Sequence, residues 1–215
     1  MRSVTRESPD RDSRHLLDSG AAQHGCHLTK GQNVVLHQDG TPLADVTVGL
    51  GWDARPADGA DFDLDASAII CGPDMKAVSD AHFVFYNNLA SPDGAVRHTG
   101  DNLTGEGEGD DEQLLIDLDR LGEGTGQVVF AVSIHAAGTR GQNFGQVDDA
   151  FIRVVDNLTG REMCRYELSH DAAGETAMVF GALYRRAGEW KFRAIGQGYT
   201  SGLSGIATDY GVNVG

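Results

Sequence analysis

From Leu28 onward the chain is cut into short runs of alternating polarity, separated by glycine or by Asp/Asn turns. The runs are "NVVLH", "VTVGLGW", "FDLDASAII", "HFVFY", "QVVFAVSIH", "FIRVV", "REMCRYEL", "AMVFGALYR" and "EWKFRAIG". A period of two gives an extended chain one buried and one wetter face. In "EWKFRAI", Trp190, Phe192 and Ala194 oppose Lys191 and Arg193; in "REMCRYEL", Cys164, Tyr166 and Leu168 oppose Arg165 and Glu167. No long helical periods alternate with these runs, so the pattern predicts an all-β, two-sheet β-sandwich and not an α/β sheet.

Local signals agree. "DNLTG" at 156–160 and "RAG" at 186–188 have the composition of hairpin turns. One or two short helices are expected, including one near the C-terminus, where Leu203, Ile206 and Tyr210 form a single stripe. In "EQLLIDLDRLG", Leu114, Leu118 and Leu121 suit a helix, whereas Leu114, Ile116 and Leu118 suit a strand. The alternating Asp117 and Asp119 favour the strand.

Residues 1–27 are polar, poor in large apolar side chains and without a sustained period, which predicts a disordered N-terminal extension ahead of a domain over 28–215, or a start codon placed too early. The segment has no apolar stretch of the kind a secretory signal needs. No run in the chain approaches the ~20 apolar residues of a bilayer-crossing helix, so no membrane insertion is expected. The three cysteines, Cys26, Cys71 and Cys164, are few, odd in number and without CxxC spacing, as in a reducing compartment. A formal charge of −15 argues against nucleic acid and points to cations, basic partners or solubility.

That charge is concentrated. In "ADFDLDAS", an extended chain puts Asp61, Asp63, Asp65 and Ser67 on one face. Such a row is either a solvated face guarding against edge pairing or a set of carboxylates bridged by a cation. The stretch "GDNLTGEGEGDDE", residues 100–112, is more extreme: Asp101, Glu106, Glu108, Asp110, Asp111 and Glu112 are interleaved with Gly105, Gly107 and Gly109. Glycine lets the backbone fold back so that side chains and carbonyls converge. Calcium takes six to eight oxygens in tolerant geometry, and Asn102, Thr104 and the Leu103 carbonyl add neutral ones. Zinc would want His or Cys, and none is near in sequence. The copy of "DNLTG" at 156–160 is followed by Arg161 and not by further acids, so the turn is shared and the added charge is the difference. Neither acidic stretch has the EF-hand spacing.

These blocks resemble the TerD family of tellurium-resistance and stress proteins. "LTKGQNVVL", "VGLGWDAR", "DFDLDASA", "HFVFYNN", "SPDG", "GDNLTGEGEGDDE", "SIHAAGTRGQNFGQV", "AFIRVV", "ETAMVFGALYRR" and "EWKFRAIGQGY" occur in the family's order from Leu28 to the C-terminus. The resemblance implies a cytoplasmic β-sandwich that binds two calcium ions through acidic loops. It also implies a role in tellurite and stress resistance, with paralogues and membrane-associated proteins as partners. Carried over by position, the ligand candidates are Asp63, Asp65, Asp101, Asn102, Leu103, Glu106, Glu108, Asp110, Asp111 and Glu112. Asn87 and Asn88 are secondary candidates that would equally serve a turn.

Catalytic patterns are thin. "GYTSG" carries Thr200 where a G-x-S-x-G nucleophile would stand, and no Walker motif is present. His135 is expected to be a hydrogen-bonded structural histidine and not a general base. Cys71 is expected on the carboxylate face, with its pKa raised by those neighbours, and Cys164 on an apolar face. The expected function is therefore a non-enzymatic calcium-binding module; the alternative is a hydrolase or redox enzyme that uses the carboxylate-held ion.

Overall fold

A computed structural model describes residues 25–54, 62–100, 109–168 and 174–213. In chain order its strands are β1 (Cys26–Leu28), β2 (Asn33–Val35), β3 (His37–Gln38), β4 (Thr41–Pro42), β5 (Asp45–Ala54), β6 (Leu64–Cys71) and β7 (Phe83–Val84). They continue with β8 (Val96–His98), β9 (Glu112–Asp117), β10 (Gln127–Ile134), β11 (Val147–Asp156), β12 (Glu162–Glu167), β13 (Ala177–Arg186) and β14 (Glu189–Tyr199). Helices α1 (Ala137–Arg140) and α2 (Gly202–Asp209) complete the fold. Every run of alternating polarity carries a strand, and the ambiguous "EQLLID" is β9.

Two six-stranded sheets face each other, one ordered β1-β12-β11-β5-β9-β8 and the other β2-β14-β13-β10-β6-β7. All pairings are antiparallel except β1 on β12. Inward side chains of both sheets, among them Val48, Leu50, Leu114, Ile116, Phe130 and Phe192, form one close-packed core. A second cluster lies on the outer face of the β10 sheet, where Ile206 and Ala207 of α2 cover Ile69, Val129 and Val179. This is the predicted C-terminal helix, docked by its apolar stripe. The two hairpins form as the turn residues require: Ala187 and Gly188 take φ of 54° and 82°, and Gly160 takes 71°. Cys26 and His27, expected in the N-terminal extension, are instead paired in β1. No helix among the described residues is long and apolar enough to cross a membrane.

The topology gathers functional candidates at one end of the sandwich. The registers Leu50↔Glu112, Ile134↔Leu64 and Phe151↔Glu167 bring the beginnings of β6, β9 and β11 beside the ends of β5, β10 and β12. This end is called the acidic rim below.

Candidate metal centre

Asp63 and Asp65 stand at the start of β6, but not on a solvated face. Their exposures are 9% and 6%, and β6 is an interior strand between β10 and β7. The edge-guarding alternative is thereby overturned: the second face of β6 is covered, and Ser67, Ile69 and Cys71 farther along it are fully buried. The Asp63 carbonyl accepts the His135 N–H at 2.7 Å, and Asp65 Oδ2 lies 3.7 Å from His135 Nδ1. The His135 ring is half exposed and stands beside the Asp65 carboxylate, while its backbone closes onto Asp63. Two buried carboxylates on one strand face cost several kcal/mol unless positive charge or donors compensate them.

Glu112 points between the sheets. Its Oε2 accepts the Ala66 N–H from β6 and lies 3.6 Å from His98 Nε2, both side chains being wholly buried. The Gly100 N–H donates to His98 Nδ1 at 3.1 Å, which leaves the ring proton on Nε2, facing Glu112. One carboxylate therefore ties the residue next to Asp65 to both flanks of the acidic run, at His98–Gly100 and at Glu112 itself.

Asp110 turns the other way, onto the outer face of the β5 sheet. Its Oδ1 accepts from Arg153 Nε at 2.6 Å and its Oδ2 from the Gln113 side-chain amide at 3.2 Å. The carboxylate rests on Gly49, where any Cβ would collide with it. Asp111 Oδ2 accepts the Trp52 N–H at 2.9 Å. Asp111 also borders a hollow of about 350 Å³ on the rim, with Asp149, Phe151, Arg165 and Glu167 among its walls. A β-bulge between Asp148 and Phe151, with Asp149 at φ 51°, places Asp149 there.

Asp101, Asn102, Leu103, Glu106 and Glu108 lie outside the described residues, as does Asp61. Among the described residues no three His, Cys, Asp or Glu side chains converge as a metal-holding group. Asp63, Asp65 and Asp111 are oxygen donors of the kind a hard cation such as calcium takes, and His135 Nδ1 stands 3.7 Å from Asp65. Asp63 and Asp65 stand at the start of β6 and Asp111 in the segment ahead of β9 in the facing sheet, and among the described residues they do not form a coordination sphere. The remaining donors would come from the run anchored at Gly100 and Gly109. Asp110 fits least well, because Arg153 occupies it.

The secondary candidate Asn88 makes a turn: its side-chain amide donates to Phe83 O at 2.6 Å, and its backbone pairs with Phe85. Cys71 does share the Asp65 face, but burial is what pushes its thiol up, to about 12; the rim aspartates are not the cause. Burial likewise raises Cys164. Sequence reasoning missed His98 and Arg153. Alternation in "FIRVV" exposes Arg153 to the outer face, but its partner is 43 residues away and no local pattern marks it.

The TerD domain model matches residues 25–210. The chain is 54% identical over 186 residues to tellurium resistance protein TerD of Serratia marcescens, covering 86% of this chain and 97% of that one. It is 49% identical over 189 residues to general stress protein 16U of Bacillus subtilis, covering 87% and 98%. Among solved structures, a homologue of the telluride resistance protein TerD from Streptomyces coelicolor A3(2) superposes with a TM-score of 0.64 at 29% identity, covering 77% of this chain and 95% of that one. With sequence and architecture in agreement over nearly all the described chain, this protein belongs to the TerD family of tellurium-resistance and general stress proteins.

Proposed function

We propose that the chain is a calcium-binding stress-response protein of the cytoplasm, acting through protein partners and not by catalysis. Relatives are named as tellurium resistance, general stress and stress response proteins, and none of these names is an enzyme's. The observation that carries the calcium reading is the burial of Asp63 and Asp65 at the rim where both anchors of the acidic run arrive. The chain's charge of −15 favours a bound cation over an anion at that rim.

A bound divalent ion would supply positive charge that offsets repulsion among these carboxylates. Asp63, Asp65 and Asp111 would contribute oxygens from the described part, and Asp101, Asn102, the Leu103 carbonyl, Glu106 and Glu108 the remainder. Glu112 would hold β6 and β9 in register beneath them. Holding the acidic run around an ion would present partners, including paralogues and membrane-associated stress proteins, with a calcium-dependent surface.

Calorimetric titration of calcium into chelator-stripped protein tests the reading. Saturable binding of about two ions, weakened at least tenfold by Asp65→Asn, is expected. No heat beyond dilution would overturn it. Metal-dependent turnover of a phosphoester or reduction of tellurite, lost in the same variant, would support the enzymatic alternative instead.

A further inference from the structure

We propose that Cys26 and Cys164 form a disulfide within the chain when the protein meets a peroxide, stapling β1 to β12. In the parallel pairing of these strands Cys26 lies directly opposite Cys164, and Leu28 opposite Tyr166. Register partners on neighbouring strands project to the same face, about 4.8 Å apart. That spacing falls within the range a disulfide spans. The face is fixed independently: Leu28 packs against the core, and Cys164 and Tyr166 belong to it, so Cys26 two residues before Leu28 points the same way.

Gly25 explains how β1 comes so close. A Cβ there would stand 2.6 Å from Glu162 O, 2.7 Å from Met163 C and 2.8 Å from Cys164 N. Only glycine lets the chain lie flat on the β12 backbone immediately before Cys26. Both cysteines are free thiols, one exposed and one buried, which is the asymmetry of an attacked and a resolving sulfur.

The chemistry balances with hydrogen peroxide as oxidant. The exposed Cys26 thiolate attacks peroxide, the O–O bond breaks, and Cys26 becomes a sulfenic acid as hydroxide leaves. Cys164 then gives up its proton, its sulfur displaces the sulfenic oxygen, and water departs as the S–S bond forms. Two thiols are oxidised by two electrons and one peroxide is reduced to two waters. Burial raises both thiols, followed for Cys164 by the proximity of Cys26, so the pair stays protonated in neutral buffer and reacts faster as pH rises. The staple fixes the first strand of the domain, and with it the point where residues 1–24 join the sandwich.

The test uses the full chain, reduced, freed of reductant, treated with hydrogen peroxide at neutral and mildly alkaline pH, quenched, alkylated under denaturing conditions, and mapped without reduction by mass spectrometry. Expected is a linked peptide pair containing Cys26 and Cys164, lighter by two hydrogens. Alkylatable thiols fall from three to one, Cys71 remaining. Yield rises with pH, and Cys26→Ser, a change at an exposed position, leaves Cys164 alkylatable after the same treatment. Oxidation of Cys26 to sulfinic acid with Cys164 still alkylatable, or a Cys26-to-Cys26 link between chains, would overturn the proposal.

Discussion

Arg153 Nε lies 2.6 Å from Asp110 Oδ1, and the Asp110 side chain is only 1% exposed although it lies ahead of β9 at the outer face of a sheet. Gly49 provides the space beneath it, and Glu162 holds the far side of the guanidinium at 3.3 Å. The pair ties the last part of the acidic run to β11, the strand that also supplies Asp149 to the rim.

Arg153→Ala should therefore destabilise the protein by about 2 kcal/mol, because it leaves a covered carboxylate without its cation. Arg153 is itself partly exposed, which keeps the loss below that of a fully buried pair. Adding Asp110→Asn should recover at least half of the loss, since the stranded charge is then gone. Urea unfolding of the four proteins of the cycle gives the coupling; additive effects would show that the contact carries no energy.

Glu112 calls for a different contrast. Glu112→Ala strands the Ala66 N–H and the inward His98 nitrogen in a dry interior, at a cost of about 3 kcal/mol. Glu112→Gln keeps an acceptor for Ala66 and should cost about 1 kcal/mol. Equal losses in chelator-containing buffer would mean that the carboxylate does not bridge the sheets through these hydrogen bonds.

Part of the pH dependence at the alkaline end follows from Cys71, alongside the raised Cys164, Tyr199 and Tyr210. Its folded pKa is raised to about 12 by burial, against roughly 8.5 in an unfolded chain. Above the lower value the unfolded state binds fewer protons than the folded one, so this contribution is complete below pH ~8.5 and fades as pH climbs toward the folded pKa. Cys71→Ala should flatten the fall of the melting temperature over that window. An unchanged slope would place the alkaline loss in other groups.

Architecture was legible because the alternation in "EWKFRAI" and "REMCRYEL" is dictated by the core itself: Trp190, Phe192, Cys164 and Tyr166 are all buried. The site was legible in composition but not in arrangement. "DLDAS" has the alternation of a half-exposed strand, yet α2, more than 130 residues away, covers the far end of that face, which no local pattern announces. Asp110, Asp111 and Glu112 are consecutive acids, yet one meets Arg153, one meets the Trp52 amide and one enters the core. Only Glu112 lies within β9, where alternation turns it inward with Leu114 and Ile116; Asp110 and Asp111 precede the strand, and distant residues decide what each meets.

Asp65→Asn should have effects of opposite sign with and without calcium. In chelator the substitution removes one of two neighbouring buried negative charges, so the variant should melt at or above the wild-type temperature. In calcium at about 100 times its dissociation constant, the wild type should gain about 2.7 kcal/mol from binding, a gain the variant loses in large part. The two melting curves then cross in order between the buffers. A substitution that only loosened packing around His135 would lower the melting temperature in both, and that parallel drop would remove Asp65 from the cation site.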